Sequence, residues 1–225
     1  MEKNVEEYIA FKNGELKMPG HLAIRKEISR PLFKNKFMES LTRTGIFPPV
    51  IMHLVINATL FWYGITQLEI PVLPGIIAAV CGAIFWSFAE YNVHRYLYHT
   101  ESNSRTLFNL QHNAHSIHHQ HPIDPTRLAM PPLPGLVLSG FFFTIFWLIN
   151  STYVFVFFPG FMVGYMAYIS LPFAQHRIKS PIYGPWESLW RHHQVHHYID
   201  PYIAFGVSTR FWDFVFHTMP KKQSK

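Results

Sequence analysis

The sequence predicts an all-α integral-membrane protein, with four transmembrane helices in two hairpins beneath a cytosolic, histidine-rich helical cap. Three observations carry this. Charged residues make up 14% of the chain and hydrophobic residues 49%, whereas a soluble domain averages about 25% charged. Long stretches carry no charge, among them the 39 residues from Leu133 to Leu171. All 19 lysines and arginines fall outside those stretches.

The elements follow in order. Residues 1–46 hold nine of the basic residues, mixed with acidic ones. They lack the apolar core of a signal peptide and are expected as a cytosolic N-terminal segment. Apolar segments follow at about 47–65, 71–91, 133–148 and 153–171, within the membrane domain 47–225. A crossing helix needs about 20 such residues, so the long stretch must turn once. Asn150-Ser151-Thr152 are turn-forming residues and supply the place. Gln67 to Pro71 turns the first pair. An even number of crossings puts 1–46, 92–132 and 172–225 on one side, together with every Lys and Arg. Positive residues mark the cytoplasmic side, so both termini and the cap (92–132 and 172–220) are expected there. That one-sided placement, rather than a basic surface patch, accounts for the net charge of +6, and no nucleic-acid partner is expected. Cys81 is the single cysteine, which excludes disulfides and cysteine-based zinc sites. Gly135, Gly140, Gly160 and Gly164 either open space for a lipid chain or let helices pack closely.

The cap sequence carries the chemistry. Thirteen of 15 histidines lie between His94 and His217. Twelve of these form three groups: His94 with His99; His112, His115, His118, His119 and His121; and His192, His193, His196 and His197, preceded by His176, with His217 apart. Residues three and four apart share a helix face, so each HxxHH run is expected to aim a triad of imidazoles at one point. The two triads with His94, His99 and His176 make nine nitrogen donors. That is too many for one ion and suits two, with three to five ligands each. Imidazole suits iron, zinc, copper and nickel alike. There is no HExxH protease motif and no Glu-x-x-His pairing of the ferritin type. His21 and His53 are isolated and are expected to be surface or packing residues.

At these residues the chain resembles the fatty acid hydroxylase branch of the fatty acid hydroxylase and sterol desaturase superfamily, and within it the fatty acid 2-hydroxylases of sphingolipid metabolism. Glu90 to His99, His115 to Asp124 continuing through Arg127-Leu-Ala-Met-Pro-Pro132, His193-Gln-Val-His-His197, and Gly206 to Thr218 resemble successive family motifs, over about residues 50 to 220. The resemblance implies two metal ions, iron expected and zinc possible in a structure. It implies O2-dependent hydroxylation of a lipid acyl chain beside its carbonyl, and placement in the endoplasmic reticulum or a bacterial inner membrane. Relatives tend to read Tyr-Asp-x-x-His-x-x-x-His where this chain has Tyr168-Ile169 through Pro172 to His176. One family ligand is thus replaced by Pro172, and His112, His121 and His192 are the spare histidines that could stand in. Many relatives also carry a haem domain of the cytochrome b5 type. The 46 residues before the first apolar segment are too few for one and contain no His-Pro-Gly-Gly box. An external electron donor is therefore expected, such as cytochrome b5 or a ferredoxin with its reductase. Two alternatives stay open: the same chemistry, or desaturation, on a sterol, carotenoid or other lipid, and a non-catalytic membrane metal-binding protein.

Overall fold

Apolar chain that crosses a bilayer can satisfy its backbone polar groups internally only as helix or closed barrel. The computed structural model describes residues 2–102, 104–180 and 184–221 and takes the helical solution, with no strand among them. α1 (Glu2–Lys12) and α2 (Lys36–Ser40) lead to α3 (Phe47–Thr66) and α4 (Val72–Asn92). The short α5 (Arg105–Gln111) and α6 (Ile117–Gln120) precede α7 (Pro132–Ile149) and α8 (Val154–Arg177). α9 (Gly184–Tyr198) and α10 (Phe211–Val215) complete the chain. Prolines open α3 and α7, where the missing N–H would have no helical partner in any case. Asn150 turns the second pair by accepting from the amides of Thr152 and Tyr153.

α3, α4, α7 and α8 are each long and apolar enough to span a membrane. α8 runs past the expected end at Leu171, through Pro172, to Arg177. A proline inside a helix loses one hydrogen bond, but Ile169, Pro172 and Gln175 are all buried and their packing offsets that loss. The extension lifts His176 into the cap on the same rigid rod.

α8 is the central post, with 56% of its apolar window buried against 22% or less for the other three. Phe158, Phe161, Met162, Tyr165 and Ile169 form its core face. The outward sides of the bundle expose Ile51, Val55, Ile77, Val80, Val137 and Leu148, an apolar band that only lipid would cover favourably. α8 packs along α4 at glycines. A Cβ on Gly160 would collide with the backbone of Ala79, one on Gly82 with the backbone of Phe157, and one on Gly164 would reach the Trp86 ring at 2.6 Å. Gly160 and Gly164 therefore serve helix packing and leave no room for a lipid chain. Gly160→Ala is expected to destabilise the folded protein by about 1–3 kcal/mol through overpacking, seen as a lower melting temperature in detergent, whereas Gly140→Ala, which meets nothing within 4 Å, should leave it unchanged.

Above the bundle the N-terminal segment is tied to the cap. Arg127, 7% exposed, donates to Glu39, Ser29 and the Thr42 carbonyl. Asp124 accepts from Ser29 and Arg43. The Arg25 amide donates to Gln120 O, and His121 Nδ1 donates to Glu27 O. The Asp124…Arg127 stretch of the second motif thus anchors residues 25–44 over the cap.

Candidate metal centre

His94 and His99 are five residues apart. In an α-helix that spacing advances about 500°, leaving the side chains roughly 140° apart. The chain removes the mismatch by widening into a π-helical turn over Val93–Tyr98, with the His99 amide bonded to His94 O. Each hydrogen bond there reaches back five residues instead of four, and the wider turn brings both imidazoles to one side. A second π turn, His112–Ser116, leads into α6 and sets the direction of His115.

The nine histidines singled out by spacing gather into two groups. His94, His99, His115, His119 and His196 form one, and His118, His176, His193 and His197 the other. Within each group the ligand nitrogens lie within 4.8 Å of one another, and all nine side chains are buried apart from the half-buried His176. The HxxHH runs do not each feed one point, as the sequence suggested. His115 and His119 face the first group while His118 faces the second; His193 and His197 face the second while His196 faces the first. Adjacent helical residues diverge by about 100°, so the neighbours His118/His119 and His196/His197 straddle the two groups.

The donor chemistry fits metal ions. His94 Nε2 and His119 Nε2 lie 3.0 Å and 2.9 Å from His115 Nε2, and His193 Nε2 lies 3.2 Å from His176 Nε2. Two nitrogens bound at about 2.1 Å at right angles would be about 3.0 Å apart. Both ring nitrogens of His99, His118 and His197, and Nε2 of His196, are buried without a hydrogen-bond partner among the described residues, a costly arrangement that ions would relieve. His94 Nδ1 donates to Phe205 O at 2.5 Å and His196 Nδ1 to Ile203 O at 2.8 Å. Each bond fixes the proton on Nδ1 and leaves the Nε2 lone pair free for an ion.

Those two carbonyls belong to a loop clamped by two buried carboxylates. Glu90, one turn before His94 on α4, accepts from the amides of Val207 and Ser208 and from the Ser208 hydroxyl. Asp213 accepts from the amides of Phe205 and Gly206, from Thr218 Oγ1 and from His192 Nε2. Neither carboxylate was given a role from the sequence, although an acid inside an apolar run is a signal in itself. Tyr98 also escaped notice; it stacks on His115 with centroids 4.8 Å apart.

The spare histidines lie elsewhere. His192 is spent on Asp213, His121 on Glu27 O, and His112 stacks on Phe108 at 6.1 Å. None joins either group, because each faces away from the two points on its own element. Position 172, one turn before His176, holds a buried proline. The second group therefore has four imidazoles to the first group's five. His21 pairs with Glu101, His217 is exposed, and His53 is fully buried.

Burial, reinforced by neighbouring imidazoles, holds His99, His115, His118, His119, His193 and His197 well below the usual histidine range, and holds His196 at about 3. The imidazoles are thus neutral, as ligands must be. The unfolded chain takes up protons near 6.5, whereas folded His196 resists until about 3. Stability of the chelator-stripped protein should therefore fall as pH drops below about 6.5, by up to about 1.4 kcal/mol per pH unit for each such histidine. Thermal unfolding between pH 7.5 and 5 reads this, and a flat profile would contradict it.

Comparison with known proteins places these features in a family. The family model described as fatty acid hydroxylase matches residues 79–218. Fatty acid 2-hydroxylase of Mus musculus is 37% identical over 62% of this chain and 38% of its own length. The Homo sapiens protein of that name is 32% identical over 90% of this chain and 62% of its own length. The ceramide very long chain fatty acid hydroxylase SCS7 of Saccharomyces cerevisiae is 31% identical over 84% and 49%. The chain thus spans less than two thirds of each of these relatives. A solved structure titled full length scs7p, with only the hydroxylase domain visible, aligns with a TM-score of 0.78 and 28% identity over 88% of this chain and 75% of that one.

Proposed function

The chain belongs to the fatty acid hydroxylase family, and from that premise we propose that it is a membrane-embedded, O2-dependent lipid hydroxylase acting at the 2-position of a fatty acyl or sphingolipid acyl chain, with two metal ions, iron in the cell, held by the nine grouped histidines. The observation that carries this reading is the pair of imidazole groups, five and four, gathered where the spanning helices α4 and α8 rise into the cap. The net reaction takes up O2, two electrons and two protons, places one oxygen on carbon and releases the other as water. The ions, when bound, supply the oxygen activation that no side chain can. The protein's residues do the rest. His94 and His196 present fixed lone pairs through their bonds to Phe205 and Ile203. Glu90 and Asp213 hold that loop still. Buried neutral imidazoles leave the charge of the ions uncompensated in a dry pocket.

Electrons come from an external carrier such as cytochrome b5 or a ferredoxin with its reductase, approaching the cap. The cap and both termini face the cytosol, in the endoplasmic reticulum or a bacterial inner membrane. Cysteines introduced at Glu69 and Asn150 are expected to react with an impermeant thiol reagent from outside intact cells and one at Ser104 is not; external labelling at Ser104 would invert the topology. For the reaction itself, purified protein in lipid nanodiscs, loaded with iron, should consume O2 in the presence of reductant and acyl lipid. Mass spectrometry should find one added oxygen at carbon 2. Reductant-dependent uptake without an oxygenated lipid, or no uptake on any acyl lipid, would overturn the proposal.

A further inference from the structure

A strongly basic stretch lies just before the first spanning helix. Between Arg25 and Lys36 there are five cations, Arg25, Lys26, Arg30, Lys34 and Lys36, and one acid, Glu27. All five cations are exposed, and none pairs with a carboxylate among the described residues. The same stretch and the α2 turn that follows expose apolar side chains: Ile28 is 64% exposed, Phe37 65% and Met38 42%. Pro31, Leu32, Phe33, Lys34, Lys36 and Glu39 line a surface hollow of about 670 Å³. The loop is held in this shape from inside. Glu39 Oε2 accepts from the amides of Leu32 and Phe33, and its Oε1 pairs with Arg43 at 2.6 Å and with Arg127 at 2.7 Å. Asn35 Oδ1 caps α2 by accepting from the amides of Phe37 and Met38. The carboxylate in the hollow is thus engaged inward, and the outward face is cationic and apolar. Six residues separate α2 from α3, and among them Thr44 donates its amide to Thr126 O. The loop is therefore held near the end of α3 that meets the cap, where the bilayer surface begins.

Water favours the exposed cations and not the exposed Phe37 and Met38; a hydrocarbon core favours the reverse. The layer that accommodates both is the headgroup region, where apolar side chains reach the acyl boundary and basic ones reach phosphate. Basic clusters directly beside a spanning helix recognise anionic lipid in this way. We propose that residues 25–38 form a docking surface for anionic phospholipid headgroups of the leaflet beneath the cap, with a phosphate seated at Lys34 and Lys36 and with Phe37 and Met38 inserted beside it. Glu39 and Asn35 fix the loop before any lipid arrives, so little ordering entropy opposes the contact. The segment also bonds to Gln120 and His121 through Arg25 and Glu27. A lipid held here therefore seats the cap, with its α6 turn, at a set height over the bilayer. Continuity with the spanning bundle favours lipid over an acidic protein as the occupant. The inference rests on α3 crossing the membrane and on nothing about the reaction.

The test places an environment-sensitive fluorophore on Met38→Cys in a Cys81→Ala background, using the full metal-loaded chain in nanodiscs. The discs hold phosphatidylcholine alone or mixed with phosphatidylserine. Emission should shift to the blue with phosphatidylserine, and phosphatidylserine brominated on its acyl chains should quench it. Salt at about 1 M, which shortens the screening length to about 3 Å, should reverse the shift. Each cation strengthens contact with an anionic leaflet about fivefold, so Arg30→Gln, Lys34→Gln and Lys36→Gln together should weaken it on the order of 100-fold and abolish the shift. The melting temperature in neutral discs should stay unchanged, because all three side chains are exposed. Arg105→Gln, at an exposed cation on α5 outside the stretch, should keep the shift. Equal emission in the two kinds of disc, or a shift that survives the triple substitution, would overturn the proposal. So would a shift produced in neutral discs by an acidic electron carrier and not by phosphatidylserine, which would mark a protein dock instead. None of these readings needs turnover, so they hold whether or not the chain hydroxylates a lipid.

Discussion

Replacing His119 with alanine is expected to reduce the bound metal from two ions per chain to one or fewer, and lipid hydroxylation by more than about 100-fold. His119 is fully buried. Its Nε2 lies 2.9 Å from His115 Nε2 in the first group, and its ring stacks on His197 of the second with centroids 4.1 Å apart. One substitution therefore removes a donor from one group and the support of a donor in the other. Loss of a mere outer partner of a metal ligand costs about 10–100-fold in affinity or activity, and loss of a donor should exceed that. Metal analysis of the purified protein and mass spectrometry of lipids from expressing cells read both effects. His112→Ala is the control. It lies outside both groups and should keep both ions. A His119→Ala protein with two ions and normal product would show that the groups are not the metal centre.

Asp213→Asn is expected to weaken metal retention by about 10–100-fold and to lower global stability by about 1–3 kcal/mol, the usual cost of leaving buried hydrogen-bonding groups unsatisfied. Burial alone would raise the pKa of this carboxyl, but its bonds from His192, Thr218 and the Gly206 amide outweigh burial and hold it below the usual carboxylate range. Asparagine keeps the shape but turns an N–H2 toward groups that are themselves donors. The 203–206 backbone then loses its anchor, and with it the carbonyls that orient His94 and His196. Competition with a chelator should show one ion leaving before the other, since the five-histidine group depends on that loop directly. Equal retention of both ions and an unchanged melting temperature would refute the assignment.

What the sequence disclosed and what it withheld divide along a physical line. The spanning helices were legible because a bilayer imposes a length and an apolarity that can be counted; α4 ran on through its π turn to Tyr98, and α8 through Pro172, a continuation that depends on neighbours the local sequence does not name. The nine histidines were legible from their spacing, but their partition was not. A triad rule based on i, i+3 and i+4 neighbours overlooks the 100° between His118 and His119. The π turn that aligns His94 with His99 left no mark beyond the odd spacing itself. Glu90 and Asp213 act on amides more than a hundred and about seven residues away respectively, and only the folded chain shows the loop they share. His53, expected at the surface or in packing, is buried with an unpaired nitrogen.

The straddling of the two groups by neighbouring residues has a thermodynamic consequence. His118 and His119 share one turn of α6, and His196 and His197 share one turn of α9. An ion seated in either group fixes the same two helical turns that the other group needs. The ordering entropy is then lost once, on the first binding event, and the second ion meets a preorganised site. The two helical turns should therefore order with the first equivalent of metal, and the second ion meets a site already shaped, against which only the repulsion of its uncompensated neighbour acts.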